Sequence, residues 1–329
     1  MKRYKDLVGD AGSGVESQLR DQSVRLRSRM AAIRHTVAIL SGKGGVGKST
    51  LTSNLAAVLA GASTRVAVLD ADLNGPALAK MLGVRGNSLQ IGAEGAEPPE
   101  GPLGIKVLSM DHLLPRDEAP LQWKAPTQEG SFVWRASAEA AALREFLSDT
   151  RWGPLDFLLI DLAPGTDKIS SLASLLPELA AAIVVTIPTE VSQRTVRKSI
   201  TLATELWGAS AVGVVENMAA YRCAHCGHEE PLFQGPDSAV MARELGVSFL
   251  GRVPFDPRLA AASDRGLPYV GQEPGTPCAV ALRAVAAALR SMLAMGEESP
   301  PPLPESEERR GEGHGEGHGE GHGEGRIGE

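Results

Sequence analysis

Six short apolar runs punctuate the chain, at His35–Leu40, Val66–Asp70, Ile105–Ser109, Phe157–Asp161, Ala182–Ile187 and Ala211–Glu216. Each has the length of a buried strand and runs into a turn. Between most of them, apolar residues return every three or four positions. This spacing predicts helices over Ser49–Leu59, Ala136–Leu147 and Glu190–Leu206, and later over Ser238–Leu245 and Cys278–Met295. Strands alternating with helices require right-handed crossovers, hence an α/β fold with a mostly parallel sheet and helices on both faces. Residues 84–104 and 110–133 break the rhythm with Gly, Pro and charge, and read as long surface loops. A further helix is expected at Glu16–Ala32, within a polar, Arg-rich extension covering 1–34. The folded body is expected over 35–295, and it contains no internal repeat.

Composition sharpens this picture mainly at the C-terminus. Apolar residues make up 43% of the 329 but aromatics only 4%, so the core is built from small aliphatic side chains, which suit helices on a parallel sheet. The net charge of −7 lies in residues 297–329, which hold ten of the 40 acids and three of the 33 bases. The remainder carries thirty of each sign, which argues against a generally basic nucleic-acid binder. Residues 296–329 end in repeated Gly-Glu-Gly-His and are expected to be a disordered tail, since they cannot bury enough apolar surface to offset ordering entropy. His314, His318 and His322 are the tail's only metal-binding handle, and the glycines between them oppose a helix. Three cysteines cannot form a disulfide framework, and the N-terminus lacks the apolar core of a signal peptide. The apolar stretch near Ala180–Ile187 is far short of a membrane span. The expectation is a cytoplasmic protein with no membrane and no nucleic-acid partner.

The first strand leads into Ser41-Gly42-Lys43-Gly44-Gly45-Val46-Gly47-Lys48-Ser49-Thr50. Gly42, Gly44 and Gly47 satisfy a dinucleotide fingerprint, but the same segment satisfies G-x-x-x-x-G-K-[ST], and a dinucleotide site has no use for the Lys48-Ser49 pair. Glycines free the backbone N–H groups to wrap phosphates, and the helix N-terminus adds partial positive charge. Lys48 is then placed for the β- and γ-phosphates of ATP and Ser49 for Mg2+. Asp70 and Asp72 close the second strand, while Asp161 closes the fourth before Pro164-Gly165-Thr166. Acids at these strand ends supply magnesium support through Asp161 and a way to position water. Gly165 offers a backbone N–H to the γ-phosphate, so hydrolysis would alter its loop.

Lys43, a second lysine in the loop, makes the segment resemble the deviant Walker A NTPases of the MinD/ParA and nitrogenase-iron-protein group. That resemblance implies that Lys43 reaches across a homodimer interface to the partner's nucleotide. Farther on, Cys223-Ala224-His225-Cys226 is a single C-x-x-C. Two thiolates fall short of the four that a tetrahedral zinc or a cubane cluster takes. On spacing alone a cluster shared across a two-fold axis, a zinc knuckle with His225 or His228, and neither of these remain open.

KGGVGKST, DADLNGP at 70–76, the Asp161–Thr166 segment, GVVENM at 213–218 and CAHCG at 223–227 occur in the order found in the Mrp/ApbC-type P-loop ATPases. WGPLD at 152–156, VPFDP at 253–257 and ASDRGLP at 262–268 extend the resemblance to about residues 33–293. It implies a dimeric iron–sulfur carrier that hydrolyses ATP and hands clusters to client apoproteins. Cys223 and Cys226 would hold a [4Fe–4S] cluster between subunits, Asn217 would help recognise adenine, and Asp72 would position the attacking water. The chain departs from the family pattern at Asn74, Ala163, Asp167, Lys168, Thr195 and Ala224. The competing expectations are a nickel-insertion metallochaperone ATPase, suggested by the histidine tail, and a ParA/MinD-like positioning ATPase, which leaves the C-x-x-C without a use. Cys278 is expected to be a small buried hydrophobe.

Overall fold

The computed structural model describes residues 15–61, 64–113, 131–223 and 225–297. The tail from 298 onward with its three histidines, most of the 110–133 loop, and Ala224 lie outside the described residues. The elements follow in order as α1 (Val15–Ala31), β1 (Ile33–Ser41), α2 (Lys48–Ala60), β2 (Val66–Ala71), α3 (Leu78–Met81), β3 (Gln90–Gly92), β4 (Gly95–Glu97) and β5 (Lys106–Leu108). Next come α4 (Ser131–Ser148), β6 (Leu155–Leu162), α5 (Thr166–Leu175), β7 (Ala181–Thr186), α6 (Glu190–Trp207), β8 (Val212–Arg222) and β9 (Glu229–Pro231). The last are α7 (Ser238–Glu244), β10 (Ser248–Phe255), α8 (Pro257–Asp264), α9 (Tyr269–Gln272) and α10 (Pro277–Glu297).

The main sheet runs β10-β8-β7-β1-β6-β2-β5, all parallel, with β9 added antiparallel to β8. The period of two along β1 shows why both faces are covered. Val37 and Ile39 pack with Leu51, Leu55 and Leu59 of α2 and the buried stripe of α10. Ala38 and Leu40 pack with residues of α1, α4, α5 and α6 on the other face. Since β6, with β2 beyond it, flanks β1 on one side and β7 flanks it on the other, the order reverses around β1. Loops at the carboxyl ends of β1, β2 and β6 therefore meet in the crevice where such sheets bind ligands.

Every strand expected from the sequence is present, with ends shifted by a few residues, and α3, β3, β4, α5, β9, β10, α8 and α9 are additional. Strand β10 at Ser248–Phe255 was missed because it lies at the sheet edge and carries Gly251 and Pro254, which interrupt a strand pattern. Helix α5 begins with the polar turn Thr166-Asp167-Lys168, which masks its apolar stripe of Ile169, Leu172 and Ala173. The 84–104 loop contains the β3–β4 hairpin. Helix α10 is long and apolar enough to cross a membrane, but Cys278, Leu282, Val285 and Leu289 are buried in the core against the sheet. Its apolarity is that of a core helix.

Tyr269 is among the largest fully buried side chains, and its hydroxyl donates to Asp256 Oδ2 at 2.5 Å while also meeting Thr276 Oγ1 at 2.8 Å. Burial pushes the Asp256 carboxyl up, but hydrogen bonds from Arg258 and Tyr269 outweigh it and hold the carboxyl below its ordinary value. A depressed carboxyl stabilises the fold above its unfolded pKa of about 3.9 and loses that contribution as pH falls through the folded value. Tyr269→Phe should cost about 1–2 kcal/mol at pH 7 by urea denaturation. The deficit should shrink below about pH 4, where the bond no longer favours an ionised partner.

Candidate nucleotide site and cysteine hairpin

The chain must turn sharply between β1 and α2, and Gly47 makes the turn possible. It caps α2 in the left-handed conformation, with φ +83°. A Cβ there would lie 2.1 Å from Asn217 Nδ2, so only glycine fits. Asn217 Nδ2 in turn donates to Val46 O at 2.9 Å, pinning the loop to β8. The amide nitrogen of this residue is thus engaged with the loop backbone. Around Gly44 and Gly45 a Cβ would meet nothing within 4 Å, which leaves open space against the loop backbone. Lys43 is half-buried beside them.

Below the loop lies a buried ion pair. Lys48 Nζ is 2.8 Å from Asp161 Oδ2, with side-chain exposures of 8% and 0%. The ammonium is off the direction of a hydrogen bond to that carboxylate, so its donors are buried without an aligned acceptor. Asp161 is held instead by two hydroxyls of α2, Ser49 Oγ at 2.6 Å and Thr52 Oγ1 at 2.9 Å. The loop glycines and an ammonium with unspent donors fit a phosphate group. The Ser49 hydroxyl and the Asp161 carboxylate form the hard oxygen set that Mg2+ prefers. Thr52 was not foreseen, although it lies one helical turn from Lys48 and Ser49 and therefore shares their face.

The other acids divide the work. Asp70 is the register partner of Asp161 on the neighbouring strand, and burial together with that negative neighbour raises its pKa to about 7. Asp70 Oδ2 accepts from the backbone N–H of Ala77 at 2.8 Å and of Leu78 at 2.9 Å, so it anchors the loop after β2. Asp72, in that loop, is half-buried and accepts from Gly75 N at 3.2 Å. Burial raises its pKa, and the Lys48 charge acts in the opposite direction. After β6, Gly165 adopts φ +127° and ψ 147° immediately before α5. That conformation is one that glycine alone adopts without strain.

Cys223 and Cys226 lie elsewhere, in the turn joining β8 to β9, whose last ladder pair is Arg222 with Glu229. The turn is closed by Cys223 N donating to His228 O at 2.8 Å and Gly227 N donating to Cys223 O at 2.9 Å. Backbone N–H groups of Cys226 and His225 point to the Cys223 sulfur and lower its pKa, favouring the thiolate that binds metal. Cys223 is half-buried and Cys226 exposed. Among the described residues no three His, Cys, Asp or Glu side chains converge as a metal site, so the turn brings two thiols together without His225 or His228 completing a knuckle. Cys278 is buried, and burial pushes its thiol up to about 12.

The iron–sulfur cluster carrier protein of Saccharolobus solfataricus is 41% identical over 264 residues, covering 80% of this chain and 85% of that protein. Its counterpart in Methanocaldococcus jannaschii is 43% identical over 253 residues, covering 77% and 83%. A solved nucleotide-binding protein of Archaeoglobus fulgidus, in complex with ADP and with cobalt found, superimposes with a TM-score of 0.63 at 34% identity, covering 75% of this chain and 92% of that one. The cell-division ATPase MinD of Pyrococcus furiosus shares the fold, with a TM-score of 0.54 at 22% identity. The pattern of the ParA-type NUBPL iron-transfer P-loop NTPases matches residues 32–290, and the chain belongs to that family.

Proposed function

We propose that this protein is an ATP-dependent carrier of iron–sulfur clusters, working as a homodimer that hydrolyses ATP and delivers its cargo to client apoproteins. The observation that carries the reading is the pairing of a phosphate loop with an exposed two-thiol turn on the same sheet. The relatives named as cluster carriers support the choice of cargo. Two thiolates are half of the set that a [4Fe–4S] cluster takes, and a second copy across a two-fold axis supplies the other half. The reduced thiols this needs fit a reducing compartment such as the cytoplasm.

In the mechanism, ATP phosphates enter the space around Gly44 and Gly45, where backbone N–H groups receive them. Lys48 exchanges its unaligned contact with Asp161 for phosphate oxygens. Ser49, Thr50 and Asp161 stand at the same end of α2, and Ser49 with Asp161 would hold Mg2+, which neutralises charge on the β- and γ-phosphates. Asp72 orients the attacking water, and Lys43 contributes its charge to the partner's nucleotide. Loss of the γ-phosphate releases the Gly165 N–H and lets α5 shift, which alters cluster retention. Asn217, on the strand that leads directly to Cys223, links the loop to the cysteine turn.

The test is delivery. Protein loaded without air should restore activity to an apo-enzyme that requires a [4Fe–4S] cluster, with ATP changing the rate severalfold. Loaded protein that never transfers its cluster would contradict the carrier role.

A further inference from the structure

We propose that Glu139 is a positioning residue that clamps the loop after β2 to the first turn of α5, which follows directly on the Gly165 loop, so that the two segments respond together to nucleotide. Glu139 sits on α4, outside both segments, and its side chain is 9% exposed. Its Oε1 accepts from Asn74 Nδ2 at 2.9 Å, two residues beyond Asp72. Its Oε2 accepts from Lys168 Nζ, three residues beyond Gly165. One carboxylate therefore holds both the loop after β2 and the first turn of α5, one oxygen to each.

The chemistry makes this a coupling rather than two independent contacts. Releasing Lys168 leaves the buried carboxylate without its cation, and releasing Asn74 leaves one of its oxygens without a donor, so freeing either segment weakens the state in which the other is held. Partial burial works against the Lys168 charge, but Glu139 and Asp167 outweigh it and hold the ammonium above its ordinary value. The post itself is fixed, because α4 packs on α1 and Arg25 Nε meets Asp149 Oδ1 at 2.8 Å just beyond its end. Asn74 and Lys168 are also two of the positions at which the chain departs from the pattern it resembles, and the structure joins them through one acid.

The inference rests on the ATPase reading for its kinetic consequence but not for its structural one. In the full-length protein, Glu139→Gln keeps the shape of the side chain and removes the charge that Lys168 needs. Its kcat for ATP should fall about tenfold, with KM within about twofold of wild type. Glu139→Lys combined with Lys168→Glu restores an ion pair, and Asn74 can present its carbonyl to the new lysine, so much of the loss should return. Amide exchange in residues 72–77 and 163–168, measured without nucleotide, should speed up in both segments of Glu139→Gln together by about tenfold. A wild type that does not hydrolyse ATP contradicts the ATPase reading alone, and the exchange rates still decide the clamp. Unchanged exchange in both segments, or acceleration in only one, overturns it.

Discussion

Lys48→Ala is expected to abolish ATP hydrolysis and to destabilise the nucleotide-free protein at once. Asp161 is wholly buried and Lys48 is its cation. Truncating the lysine leaves a carboxylate supported only by the Ser49 and Thr52 hydroxyls. Removing one partner of a buried pair costs about 3 kcal/mol or more, because the remaining charge cannot regain its water. The catalytic loss has a different origin, since a cation is missing where phosphate charge develops, and should amount to roughly a hundredfold or more. The two effects separate in Lys48→Ala/Asp161→Asn, which removes the unpaired charge. Urea denaturation should recover most of the lost stability, whereas phosphate release should stay at background. A double variant as unstable as the single one would show that the ion pair is not the cause.

The second large effect is Gly47→Ala. The substituted residue must hold φ near +83°, costing about 1–2 kcal/mol for an L residue. Its Cβ would also drive into Asn217 Nδ2 and break the bond to Val46 O. Together these should cost about 2–4 kcal/mol and weaken nucleotide binding by disordering the loop. Gly47→Ala/Asn217→Ala removes the collision but not the backbone strain, so about half the stability should return. Gly44→Ala provides the contrast. Its Cβ meets no protein atom, so thermal stability should be near that of wild type while nucleotide affinity falls, because the methyl group takes space meant for phosphate.

These predictions divide along the line between what the chain reveals alone and what only packing reveals. Lys48 and Ser49 were expected side by side because short-range spacing survives folding, and Asp161, expected from its place at the end of an apolar strand, is brought against both of them by the sheet. Gly47 was legible as a glycine, but its reason, the Asn217 side chain arriving from 170 positions away, was not. Asp70 and Asp72 look alike in sequence, and only the structure separates the buried anchor of the loop from the half-buried acid within it. Glu139 gave no signal, being one acid among several polar positions of a helix, and its meaning lies in the two segments that fold onto it. The alternating strand and helix pattern gave the sheet because parallel strands are almost continuously apolar. Strand β10 escaped because an edge strand is relieved of that requirement. The cysteine pair was visible as a motif, yet its setting, an exposed turn holding two thiols, depends on β9 folding back on β8.

The most direct measurement is the iron and sulfide content of protein reconstituted without air, compared between wild type and Cys223→Ala/Cys226→Ala. The account predicts about four iron and four sulfide per two wild-type chains, with the dimer seen by light scattering and only background metal in the variant. A variant that still holds a full cluster, or a wild type that binds a single zinc and no sulfide, would contradict it.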